Sequence, residues 1–249
     1  MSSASPIEKR RIPGCYSKKA EFTQYWIPKE GDKDMTNNGK TVTLTGAKTR
    51  TLKDRKGRTI AKVSKITYEK FQMEGTGLLL SGTMVNLDEG NSIFMKLNRK
   101  KTPYGLGSNE NSLVPWVSVA ANDIKKGTTL YIKKLDGVKL PDGKVHNGCV
   151  RVDDHGWALG GCHIDFFVLQ YKAYKLFDSK LPEHVSVVQK PCTILNYINS
   201  SVKKWAVLPV NHEKSTKKTD DTVAPKKKKE LITPPTKEEF DRTSIMHAT

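Results

Sequence analysis

The chain has 249 residues, 36% of them hydrophobic, with a formal net charge of +17 and a mean hydropathy of −0.56. That length supports one large or two small domains with a real core, and without any run of about 18 apolar residues no helical membrane span is expected. Its four cysteines are too few for a disulfide framework. A positive field of this size favours an anionic partner: nucleic acid, an anionic membrane surface or an acidic cell-wall polymer.

Residues 1–20 are polar and basic, carry Pro6 and Pro13, and read as a flexible basic arm. The opening stretch MSSASPIEKRRIPG has no apolar h-region, so no secretory signal is visible. Residues 21–210 read as a β domain. Short alternating runs rich in β-branched and aromatic residues lie at 41–44, 59–63, 129–132 and 164–169, bounded by turn formers. A short helix is expected near 66–73. Asp136-Gly137 and Asp142-Gly143 are turn signals. Residues 211–249 hold nine Lys/Arg against seven Asp/Glu, a net +2, so the rest of the chain carries +15. That tail is charged on both signs, nearly free of aromatics, and expected to be disordered. Its four-lysine run at 226–229 fits a polyanion-binding cluster or a merely solvated segment.

The chemistry gathers in Asp154-His155-Gly156-Trp157-Ala158-Leu159-Gly160-Gly161-Cys162-His163-Ile164-Asp165. Gly156, Gly160 and Gly161 allow tight bends or close approach of a ligand. Alternation then puts Asp165 on the face of Phe167 and Leu169, opposite Ile164, Phe166 and Val168. A carboxyl half-removed from water there has a raised pKa, as a general acid for a glycosidic leaving oxygen requires. Cys149 and Cys162 flank this loop and either bridge in an oxidising compartment or remain thiols. His146, Cys149, His155, Cys162 and His163 match no common zinc spacing, so no metal site and no cofactor are expected.

The segment has the form D-x-G-x-A-x-x-G-x-x-x-D and resembles the three-aspartate (3D) domain, found in the membrane-bound lytic transglycosylase A family and in bacterial stationary-phase wall proteins. Asp154, Gly156, Ala158, Gly161 and Asp165 match in register, with Phe166-Phe167 following. Upstream, the stretch from Gly127-Thr128 to Ile132 is similar to the family's Gly-Thr strand, and Glu74-Gly75-Thr76-Gly77 to its Gln-Gly-Ser-Gly stretch. The resemblance implies a mainly β fold: a six-stranded double-psi β-barrel with extra strands from the N-terminal half, the motif lying at 150–169. It also implies that Asp165 is the single catalytic acid/base and Asp154 its partner, cleaving a peptidoglycan-type glycan to a 1,6-anhydro end. Trp157, His163 and the loop Glu74, Gly75, Thr76 and Gly77 are the candidate substrate-binding residues. Ala120 falls where the family's first aspartate stands, with Asp123 nearby. Trp157 replaces a glycine, and Glu74 replaces a glutamine and offers a second carboxylate.

Three functions follow. The first is a lytic transglycosylase-like enzyme acting on a polysaccharide, peptidoglycan or another acidic wall glycan. The second is a non-catalytic, expansin-like polysaccharide-binding barrel, and the third a basic protein binding nucleic acid or another polyanion. The glycan readings place the protein outside the cell, on a wall or in a virion, despite the absent signal.

Overall fold

The computed structural model describes residues 12–156 and 159–210. The lysine run at 226–229 and Trp157 lie outside them. In chain order the first elements are α1 (Tyr16–Lys19), β1 (Ala20–Tyr25), β2 (Lys33–Met35), β3 (Thr41–Thr43), β4 (Arg50–Lys53) and β5 (Thr59–Val63). Next come α2 (Lys65–Glu74), β6 (Thr76–Leu78), β7 (Met84–Glu89), β8 (Ile93–Lys96), β9 (Ser118–Ala120) and β10 (Thr129–Ile132). The last are β11 (Cys149–Asp154), β12 (His163–Phe167), α3 (Tyr171–Phe177), β13 (His184–Val185), β14 (Val187–Val188) and α4 (Ser200–Trp205). The fold is mainly β, as the alternating runs require.

Seven strands form the principal sheet in the order β13-β1-β12-β9-β11-β10-β14. β1 runs parallel to β12 and β9 parallel to β11; the other pairings are antiparallel. The two edge strands, β13 and β14, are separated by Ser186 alone, so the sheet curls until its edges meet at that residue. One face is the core: Phe22, Val119, Leu130, Val150, Val152, Ile164 and Phe166 are buried on alternating positions. Each such side chain contributes roughly 1.5–3 kcal/mol by leaving water. β12 ends at Phe167, short of the expected residue 169, and Leu169 takes a φ of 70° just beyond it.

A second sheet, ordered β5-β4-β8-β7-β6, packs with α2 around Leu52, Val63, Phe71, Leu79, Val85 and Phe94. The helix expected at 66–73 is α2. Ser64 caps its start by accepting the Thr67 N–H, and Gly75, at φ 70°, ends it in the left-handed region open to glycine. β6 is tied to the segment that follows β1 by backbone bonds from Leu78 N–H to Pro28 O (2.9 Å) and from Glu30 N–H to Leu78 O (2.8 Å).

All four cysteines are paired, Cys15 with Cys162 and Cys149 with Cys192. The bridge considered between Cys149 and Cys162 does not form. Cys149 opens β11 and Cys162 precedes β12, and β9 lies between those strands. Of the N-terminal arm, residues 12–19 are described; they hold α1, whose Tyr16 is fully buried, and the Cys15 bridge.

Candidate active site

Asp165 lies mid-strand in β12 with a ladder partner on each side, Thr23 of β1 and Ala120 of β9. Ala120 also opposes Asp154 of β11. Directly opposed residues project from the same side of a sheet. Thr23, Asp165, Ala120 and Asp154 therefore form one row across four strands, on the face turned away from the Phe166–Val119 core. The two aspartates are two ladder spacings apart, about 9–10 Å between backbones.

Asp165 is half-buried. Loss of water is the largest force on its carboxyl, and the negative charges of Glu74, Asp154 and Glu21 act in the same direction. The Thr23 hydroxyl opposes them by donating to Oδ1 at 2.8 Å. The balance pushes the Asp165 carboxyl up to about 7. Such a group both gives and takes a proton near neutrality.

Asp154 is held differently. Its Oδ1 accepts the Ser108 N–H at 2.7 Å and the His155 N–H at 2.9 Å, and its Oδ2 accepts the Tyr25 hydroxyl at 3.3 Å. Gly107 permits this approach, because a Cβ there would lie 2.7 Å from the Asp153 carbonyl oxygen. Burial, then the charges of Asp154 and Asp165, push the Tyr25 phenol well above its ordinary value, so it remains a donor. Ala120, between the two carboxylates, is buried and offers no charge. Asp123 stands apart from the row. It accepts from the Tyr16 hydroxyl and from the Cys162 N–H (2.9 Å), fixing the turn into β12. There Cys162 sits at φ 59°, a conformation that costs a non-glycine residue about 1–2 kcal/mol.

Glu74 ends α2 and pairs with the buried Lys70 ammonium at 2.7 Å. Lys70 also reaches Asp34 at 3.2 Å and lies 5.0 Å from the centre of the Trp26 ring. Burial raises the carboxyls of both Asp34 and Glu74, against the pull of Lys70. Among the negative charges acting on Asp165, that of Glu74 comes first. The residues after it turn into the second sheet. Gly75 ends the helix, Thr76 bonds Asn86, and Gly77 lies so close to Phe71 that an added Cβ would sit 2.2 Å from the ring. His163 is buried next to the row, its Nε2 2.7 Å from Thr23 Oγ1 and its Nδ1 3.3 Å from Glu21 Oε2.

Sequence reading missed Thr23, Tyr25 and Ser108, because their link to the aspartates runs through strand pairing and loop approach over long separations. The alternation of Thr23 and Tyr25 about a core-facing position was the one signal that they share a face.

The fold and the row define a class of site: one carboxyl raised to about 7, with a second nearby, on a curled β-sheet. Solved structures similar to the chain include the Escherichia coli lytic transglycosylase MltA, at 15% identity over 70% of this chain and 73% of that one, TM-score 0.41. The same enzyme with bound chitohexaose gives 14% identity over 70% and 72%, TM-score 0.43. A membrane-bound lytic murein transglycosylase from Agrobacterium tumefaciens gives 12% identity over 71% and 73%, TM-score 0.44. No protein-family model and no curated protein matches the chain.

Proposed function

We propose that this protein cleaves a cell-wall glycan of the peptidoglycan class by intramolecular transglycosylation, with Asp165 as the only acid/base. The observation that carries the reading is the Asp165 carboxyl itself, raised to about 7 and set in one row with Asp154. In the first step the Asp165 proton passes to the glycosidic oxygen as the C1–O bond breaks. Positive charge develops at the sugar's C1, which the anionic Asp154 and the new Asp165 carboxylate stabilise. In the second step Asp165 takes the proton of the same sugar's C6 hydroxyl as its oxygen bonds C1. A 1,6-anhydro end results, and Asp165 is protonated again without water.

The six strands of the expected double-psi barrel are read as β1, β9, β10, β11, β12 and the continuous run through β13 and β14. Support comes from the two parallel pairings and from the meeting of the sheet edges at Ser186. Trp157, by its place in the motif, and Glu74 are assigned to the substrate side. Glu74 is engaged by Lys70, which disfavours it as the second carboxylate of an ordinary hydrolysis.

A second reading has one observation in its favour. Ala120 replaces the charged residue expected between Asp154 and Asp165, which suits a barrel that holds glycan without cutting it. Digestion of purified peptidoglycan decides between them: 1,6-anhydro muropeptides detected by mass spectrometry, and absent with Asp165→Asn, support cleavage. Sedimentation with walls and no product supports binding alone.

A further inference from the structure

Glu21, His163, Thr23 and Asp165 form a polar chain from solvent to the raised carboxyl, hydrogen-bonded on both sides of Thr23 and closed at its outer end by the Glu21–His163 ion-pair contact. Glu21 Oε2 is 3.3 Å from His163 Nδ1, His163 Nε2 is 2.7 Å from Thr23 Oγ1, and Thr23 Oγ1 is 2.8 Å from Asp165 Oδ1. The Glu21 side chain is 59% exposed and that of His163 only 10%, so the chain has a wet end and a dry end. The parallel pairing of β1 with β12 sets the register, placing Glu21 opposite His163 and Thr23 opposite Asp165.

The Thr23 hydroxyl has one proton to give. When it donates to an ionised Asp165, His163 Nε2 must donate to it. A ring that is an imidazolium in that state pairs its Nδ1–H with the Glu21 carboxylate, 3.3 Å away. In the opposite state Asp165 is protonated and donates to Thr23, Thr23 donates to Nε2, and a neutral ring keeps its Nδ1–H toward Glu21. The states differ by the shift of two protons along existing hydrogen bonds: Nε2 to Oγ1, and Oγ1 to Oδ1. Net, one proton moves from imidazolium to carboxylate.

We infer that His163 and Thr23 are positioning residues that pass a proton between Asp165 and the surface at Glu21, setting the protonation state of the acid. The role in catalysis rests on the glycan-cleaving reading; the proton linkage does not. Other charged or titratable groups face this chain. His184 opposes Glu21 from β13, Asp154 and Tyr25 share the row's face, and Glu74 with its Lys70 approaches from α2. Tyr16, bonded to Asp123, donates to the His163 carbonyl at 3.2 Å. Among the described residues, only Thr23 bonds both His163 and Asp165 through one hydroxyl.

Titration by NMR of the labelled Asp165 carboxyl carbon and the His163 ring nitrogens tests the linkage without any substrate. In the wild type both groups report the same two midpoints, separated by more than about one pH unit, as a coupled pair must. Thr23→Val keeps both charges and removes the bridge, so the separation between the two midpoints narrows; Thr23→Ser restores it. Glu21→Gln, a surface change, weakens the hold on a protonated His163 ring. Independent single curves in the wild type, or an unchanged separation in Thr23→Val, overturn the inference. Peptidoglycan left uncut by the wild type would defeat the glycan reading while leaving this titration result standing.

Discussion

Thr23 and Asp165, 142 residues apart, are joined by a 2.8 Å hydrogen bond across the parallel β1–β12 ladder. This bond is the local force that favours the Asp165 anion, against burial and the negative charges around it. It sets how far the carboxyl can rise.

Removing that donor has a defined sign. Thr23→Val takes away the stabilisation of the anion, so the Asp165 midpoint moves above 7 and the alkaline limb of the cleavage profile moves with it. A hydrogen bond to a charged group is worth about 1.5–3 kcal/mol, or one to two pH units. A pH–rate profile of muropeptide release measures the shift; an unmoved limb contradicts it.

In the proposed mechanism, Asp165→Asn leaves the shape of the side chain almost unchanged but removes the transferable proton. Release of 1,6-anhydro products falls by about 10²–10⁴-fold, the usual worth of a general acid. Binding to walls persists in a sedimentation assay.

Stability depends on pH from two sides. The folded Asp165 pKa lies above its ordinary value, so its contribution is fully present at low pH and is lost as pH rises through about 7. Buried His146 is the reverse case. Burial lowers it to about 4, with Nε2 facing the Trp116 carbonyl (2.8 Å) and Nδ1 accepting the Gly148 N–H (2.8 Å). Its contribution is present above about 6.5 and fades as pH falls toward 4. The two windows overlap between about pH 4 and 6.5, so their opposing slopes largely cancel there. Asp165→Asn should leave a melting temperature that rises with pH across that range, and His146→Gln one that falls.

Gly77→Ala tests the packing that holds α2 against β6. The new methyl would stand 2.2 Å from the buried Phe71 ring, and overpacking of this kind costs about 1–3 kcal/mol. Urea unfolding should show a lower midpoint at unchanged slope.

The disulfides close long loops, with separations of 147 residues for Cys15–Cys162 and 43 for Cys149–Cys192. Each is expected to contribute about 2–5 kcal/mol. Non-reducing peptide mapping should recover these two pairs and no Cys149–Cys162 bridge. Reductant should lower the melting temperature.

Local pattern made much of the fold legible. The runs at 59–63 and 129–132 are β5 and β10, the helix expected at 66–73 is α2, and Asp165 leaves the Ile164–Phe166 core face as alternation requires. What stayed hidden depends on which strands meet. Nothing in the periodicity of Glu21-Phe22-Thr23 says that it lies beside His163-Ile164-Asp165, because a parallel partner can come from anywhere in the chain. The cysteine pairing was hidden for the same reason, since β9 inserts between the strands of Cys149 and Cys162. That Asp154 and Asp165 belong together could be read because a single motif holds both, and the strand pairing puts them in one row. The environment that raises one of them comes from β1 and α2.

Digestion of peptidoglycan in ¹⁸O-labelled water tests the proposed chemistry most directly. Intramolecular closure predicts that every new end at C1 is a 1,6-anhydro sugar, unlabelled, and that Asp165→Asn yields none. New reducing ends carrying ¹⁸O, or products undiminished in Asp165→Asn, would contradict it.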